Sequence, residues 1–144
     1  MSTLAAPVAN GSNAISPALK TFLALDFGVK RTGVAVGNRV LQSAQPQGSI
    51  HAEGDARFVK IAALLAEWQP DALVIGVPFH PDGAEHENTL RARRFGRQLA
   101  GRFNLPVFEV DERYSTTEAL SSGAKDADAA AACIILEQFL RSID

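Results

Sequence analysis

The order of elements predicts an α/β protein: a central mixed five-stranded sheet, β-β-β-α-β-α-β-α, flanked by helices. Three observations carry this prediction. Two apolar runs, "TFLALDF" (Thr21–Phe27) and "TGVAVGN" (Thr32–Asn38), stand a short turn apart and suit antiparallel pairing. "DALVIGVP" (Asp71–Pro78) is almost continuously apolar, as in a strand covered on both faces. Segments of helical spacing precede and follow it, so the later strands join the sheet in parallel through helical crossovers.

Each element has its own signal. "VLQSAQPQGSI" (Val40–Ile50) supplies a third strand, interrupted at Pro46. "DARFVKIAALLAEWQ" (Asp55–Gln69) sets Phe58, Ile61, Ala62, Leu65 and Trp68 at amphipathic spacing. Thr89 to Phe103 predicts a second helix, with Leu99 and Phe103 on its apolar face. "LPVFEVDER" (Leu105–Arg113) is a further strand, "STTE" (Ser115–Glu118) matches a capping box, and "DADAAAACIILEQFLRSI" (Asp126–Ile143) is an alanine-rich helix. Residues 1–20, rich in Ala, Ser, Asn, Gly and Pro, read as a flexible tail before a single domain over 21–144.

Composition narrows the class. A chain of 144 residues suits one substantial core, and 47% hydrophobic with 21% charged residues is ordinary for a globular protein. No apolar run approaches the ~20 residues that span a bilayer, and the N-terminus lacks the pattern of a secretory signal. The single Cys133 excludes an internal disulfide and fits a reducing cytoplasm. A net charge of −2 does not announce a nucleic-acid partner, but Asn88–Phe103 carries five arginines and no acid. That imbalance favours phosphate contacts over a merely solvated helix face.

Acids stand at the ends of core elements: Asp26 after the first strand, Asp111 and Glu112 after the last, and Asp126 and Asp128 at the final helix. A buried carboxylate is costly unless paired, hydrogen-bonded or bound to a metal. Asp128 lies on the stripe of Ala132, Ile135 and Phe139, which faces the sheet. Phe108 and Val110 share strand parity with Glu112, which favours Glu112 as the inward acid and leaves Asp111 to solvent or turn. Converging carboxylates suit hard cations such as Mg²⁺ or Mn²⁺, and two ions about 3.5–4 Å apart serve phosphodiester hydrolysis. Plainer roles compete with this one. Asp26 can accept hydrogen bonds from the turn at Gly28, Asp126 can simply start a helix, His80 and His86 can flank a solvated turn, and Trp68 can be core.

Four segments together resemble the YqgF/RuvX family, described as Holliday junction resolvases and as pre-16S ribosomal RNA nucleases. They are "LALDFGVKRTGVAVGN", "ALVIGVPFHPDGAEHENTLRARRFGRQL", "VFEVDERYSTTEA" and "DADAAAACIILEQFL", and they cover about Phe22 to Leu140. The resemblance implies a ribonuclease H-like fold and a nuclease using Mg²⁺ or Mn²⁺, with Asp26, Glu112 and Asp128 as catalytic metal ligands. Lys30, Arg31, Arg91, Arg93, Arg94 and Arg97 would contact phosphates of structured RNA, with ribosomal precursor particles as partners and a homodimer as a further expectation. One departure is the short connection Thr117–Lys125, with Lys125 its only base. A resolvase acting on branched DNA shares the chemistry, and a non-catalytic RNA-binding assembly factor shares the fold. "DFGVKRTG" also resembles the phosphate loop of actin-like ATPases, which need two such domains; this chain has one.

Overall fold

The computed structural model describes residues 8–10, 15–112 and 126–143. The strands are β1 (Val8–Asn10), β2 (Thr21–Phe27), β3 (Thr32–Asn38), β4 (Ser43–Ile50), β5 (Ala72–Pro78) and β6 (Val107–Glu112). The helices are α1 (Gly54–Trp68), α2 (Glu87–Phe103) and α3 (Ala127–Ile143). They build one mixed sheet in the order β1-β6-β5-β2-β3-β4. β2, β3 and β4 pair antiparallel, whereas β5 joins β2, and β6 joins β5, in parallel. With helices on both faces, this is the ribonuclease H-like arrangement that the resemblance implies.

Side-chain alternation along β2 divides the core. Leu23 and Leu25 point to one face, where they meet Ile61 of α1 and Phe95 and Leu99 of α2. Phe22 and Ala24 point to the other and meet Ala132, Ile135, Leu136 and Phe139 of α3. Each large apolar side chain fully buried here contributes about 1.5–3 kcal/mol. The α3 face is lined by small residues, Ala24, Ala35 and Ala72 among them, so the helix lies close. Closest of all is Gly33, where an added Cβ would sit 1.9 Å from the backbone oxygen of Asp128. Cys133 packs against this second cluster, and burial, with Glu137 nearby, pushes its thiol up to about 11.

Several elements differ from expectation. The N-terminal stretch read as a tail contributes β1, which pairs in parallel with β6 and makes the sheet six-stranded. Without it β6 would present an open edge of unpaired backbone groups. Pro46 does not end β4, because β4 is the opposite edge strand and its missing N–H is not needed there. In α1, Ala62 is exposed and Arg57 is buried. Trp68 is partly buried against the first cluster, and its indole N–H has no hydrogen-bond partner among the described residues. Helix α2 starts at Glu87, capped by His86, whose Nδ1 accepts from the Asn88 amide at 3.1 Å. The Ser115–Glu118 capping box and the Thr117–Lys125 connection lie outside the described residues. No helix among the described residues is long and apolar enough to cross a membrane.

Candidate active site

Asp26 is the penultimate residue of β2, directly opposite Gly33 of β3. Parity turns it to the α3 face, and the bare Gly33 lets the first turn of α3 settle over it. Burial, then the neighbouring Asp128 carboxylate, pushes Asp26 up to about 6. The plainer role, accepting a hydrogen bond from the turn at Gly28, is not filled, because the Gly28 amide donates instead to the Arg31 carbonyl at 2.8 Å. Among the described residues the Asp26 side chain makes no hydrogen bond or ion pair. A carboxylate held in this way favours a cation or a proton.

Asp128 stands in the first turn of α3 with its side chain 27% exposed. Its Oδ2 accepts from Arg31 Nε at 3.1 Å and lies 3.3 Å from the Ser49 hydroxyl. The shorter Ser49 bond, 2.8 Å, goes to Asp126 Oδ1, which also accepts the Ala129 amide at 3.0 Å. That amide first, and then the Ser49 hydroxyl, hold Asp126 below the usual carboxylate range. Asp126 therefore serves as the helix start. Asp26, Lys30, Arg31 and Asp128 line a cleft of about 350 Å³ above the β2–β3 turn.

Glu112 closes β6 opposite Pro78, and its carboxylate folds across Gly76, where a Cβ would lie 2.1 Å from Oε2 and 2.7 Å from Ile135 Cδ1. Glu112 thus faces α3, as Asp26 does, while Asp111 is exposed. Asp26 and Asp128 are brought together, and Glu112 shares their face without joining them. Among the described residues no three His, Cys, Asp or Glu side chains stand close enough to form a metal group. The all-oxygen donor set of Asp26 and Asp128 nonetheless fits a hard divalent cation such as Mg²⁺ or Mn²⁺.

The α2 arginines lie on the other side of the sheet. Arg91 pairs with Glu87 at 2.7 Å, and Arg93 with Glu85 at 2.6 Å and Glu109 at 3.6 Å. Arg94 and Arg97 are exposed and make no ion pair among the described residues. His80 and His86 stack edge to face with ring centres 4.8 Å apart. Sequence reasoning passed over Ser49 and Arg57. Ser49 carries no local signal, but Arg57 stands four residues before Ile61 and eight before Leu65, on the stripe that packs inward.

The family profile described as "RuvX: Holliday junction resolvase" matches residues 20–142. An Albidiferax ferrireducens protein named "Putative pre-16S rRNA nuclease" is 78% identical over 140 residues, covering 96% of this chain and 90% of the relative. A Polaromonas protein of the same name is 67% identical over 129 residues, covering 90% of this chain and 94% of the relative. Among solved structures, Thermus thermophilus RuvC in complex with a Holliday junction substrate aligns over 85% of this chain and 94% of that one. The likeness is remote, at 16% identity and a TM-score of 0.47. On the profile match and these two close relatives, the chain belongs to the RuvX family.

Proposed function

We propose that the chain is a divalent-metal-dependent nuclease that hydrolyses phosphodiester bonds in structured RNA, processing pre-16S ribosomal RNA. The observation that carries this is Asp26: a carboxylate at the end of a core strand, partnerless among the described residues and set beside Asp128. The names of the close relatives support the substrate. Asp26 and Asp128 would hold Mg²⁺ or Mn²⁺, and Glu112 would approach the ions from the same face. When bound, such ions supply an activated water and a counter-charge for the leaving oxygen. Arg31 and Lys30 give the cleft two cations for substrate phosphates. Arg31 also restrains Asp128, and the Ser49 hydroxyl supports the same carboxylate from β4. A ribosomal precursor in the cytoplasm would be the setting.

The family description favours a second reading, a resolvase cutting branched DNA, for which two copies of the site on a homodimer would be needed. Both readings are tested with labelled pre-16S transcript and a four-way DNA junction, each incubated with purified protein in Mn²⁺ or in chelator. The expected result is cleavage of the transcript, abolished by chelator and by Asp26→Asn. Intact transcript with Mn²⁺, or cleavage that survives Asp26→Asn, would overturn the proposal; a cut junction beside intact RNA would establish the second reading.

A further inference from the structure

On the sheet face away from the carboxylates, α1 and α2 leave a groove of about 330 Å³. Arg57 of α1 and Arg91, Arg94 and Arg102 of α2 line it, against Glu53 and Asp55. Arg102 pairs with Asp55 at 2.9 Å and Arg91 with Glu87 at 2.7 Å. Exposed pairs of this kind hold weakly and yield readily to a phosphate. Arg94 has no such pair among the described residues.

Arg57 is the unusual member. It is 4% exposed, with its guanidinium 4.6 Å from the centre of the Phe27 ring. Nε donates to the Ala52 carbonyl at 3.1 Å, and Nη2 donates to the carbonyl of Val29. No carboxylate lies within ion-pair distance of it among the described residues, and its remaining N–H donors have no protein partner there. Glu53, across the same groove, acts on Arg57 only from beyond ion-pair distance. A buried guanidinium whose charge is met so incompletely is costly, and an anion in the groove relieves that cost. Phe27 and Val29 border both this groove and the carboxylate cleft. The two sites therefore meet at the end of β2, where Asp26 turns to one face and Phe27 to the other.

The geometry points to this groove as a second phosphate station for a single nucleic-acid strand, which crosses the Phe27–Val29 segment and sets a backbone phosphate against Arg57 and Arg94. This rests on the nuclease reading and extends it, because it assigns a path for the strand beyond the scissile bond. The groove has the volume of a small-ligand pocket, which suits one strand and not a duplex. Arg93, held by Glu85 and Glu109, falls outside it.

The test is the binding of a short single-stranded RNA, in chelator, followed by fluorescence anisotropy over a salt series. Arg94→Glu is compared with Lys60→Glu, an equal charge change at an exposed α1 position outside the groove. Arg94 is itself exposed, so folding is not at issue. Arg94→Glu should weaken binding about tenfold and lower the salt slope by about 0.7, whereas Lys60→Glu should leave both near wild type. Equal effects of the two variants would overturn the groove. NMR shifts of the Arg57 and Arg94 side chains with inorganic phosphate but not with RNA would make it a free-anion site and also overturn it. Precursor cleavage by wild type alongside equal effects would remove the groove and keep the nuclease. Groove-dependent binding without cleavage would do the reverse.

Discussion

Asp26 carries the consequence of its position in its proton affinity. Its folded value of about 6 lies above the ordinary 3.8, through burial first and Asp128 second, so the folded chain binds this proton more tightly than the unfolded chain. The stabilising contribution is therefore complete below about pH 3.8 and is lost as pH rises through about 6. At neutral pH without metal, the ionised group costs about 3 kcal/mol. Asp26→Asn should then melt higher than wild type at pH 8 in chelator, with the gain vanishing near pH 4. A gain of the same size at both pH values would show that the charge is not its source. Strand parity divides the other pair of acids. Glu112→Gln should abolish metal-dependent cleavage while Asp111→Asn retains most of it, and a reversed ranking in the same assay would move the ligand to Asp111. That division was legible in the sequence, because Glu112 shares parity with the core residue Phe108.

At the scale of elements, α3 is positioned by main chain against main chain. Neither the Gly33 backbone nor the Asp128 carbonyl can swing aside, so Gly33→Ala should cost about 3 kcal/mol and displace the turn that carries Asp128. Gly101, in the last turns of α2 with open space where a Cβ would stand, is the matched contrast. Gly101→Ala should stabilise by about 0.5–1 kcal/mol. Urea denaturation of both variants measures the difference; similar effects would mean that the close approach at Gly33 is relieved elsewhere. Periodicity made β2, β3, β5, β6 and the three helices among the described residues readable, since each repeats its apolar signal over several residues. It did not reveal β1, because three residues of edge pairing carry no period. Arg57 escaped for another reason: a charge on an apolar stripe reads as an outward residue until the aromatic ring that covers it is known.

Across the whole molecule the sheet acts as a plate with a different chemistry on each side. The α3 side sets Asp26 and Asp128 beside a close helix approach over small residues, and the α1–α2 side sets a run of arginines along a groove floored by Phe27, Phe58 and Phe95. Composition gave only the sum of these charges, and the opposition of the two faces arises when β6 and its flanking helices cross over in parallel. The proximity of Ser49 to Asp128 depends on β4 folding back along β3, a pairing between residues far apart in the chain.

The raised thiol of Cys133 makes α3 report on its own packing. At pH 8 its thiolate fraction is about a hundredfold below that of a free thiol, because its value near 11 stands about two units above the ordinary 9.0. Alkylation by iodoacetamide should accordingly be at least about a hundredfold slower for the folded chain than in denaturing urea. Comparable rates would show that packing against the sheet does not hold the thiol up. Since Cys133 and Asp128 share this helix, the rate of sulfur alkylation reports how closely the element that carries the carboxylate stays packed on the sheet, with no substrate needed.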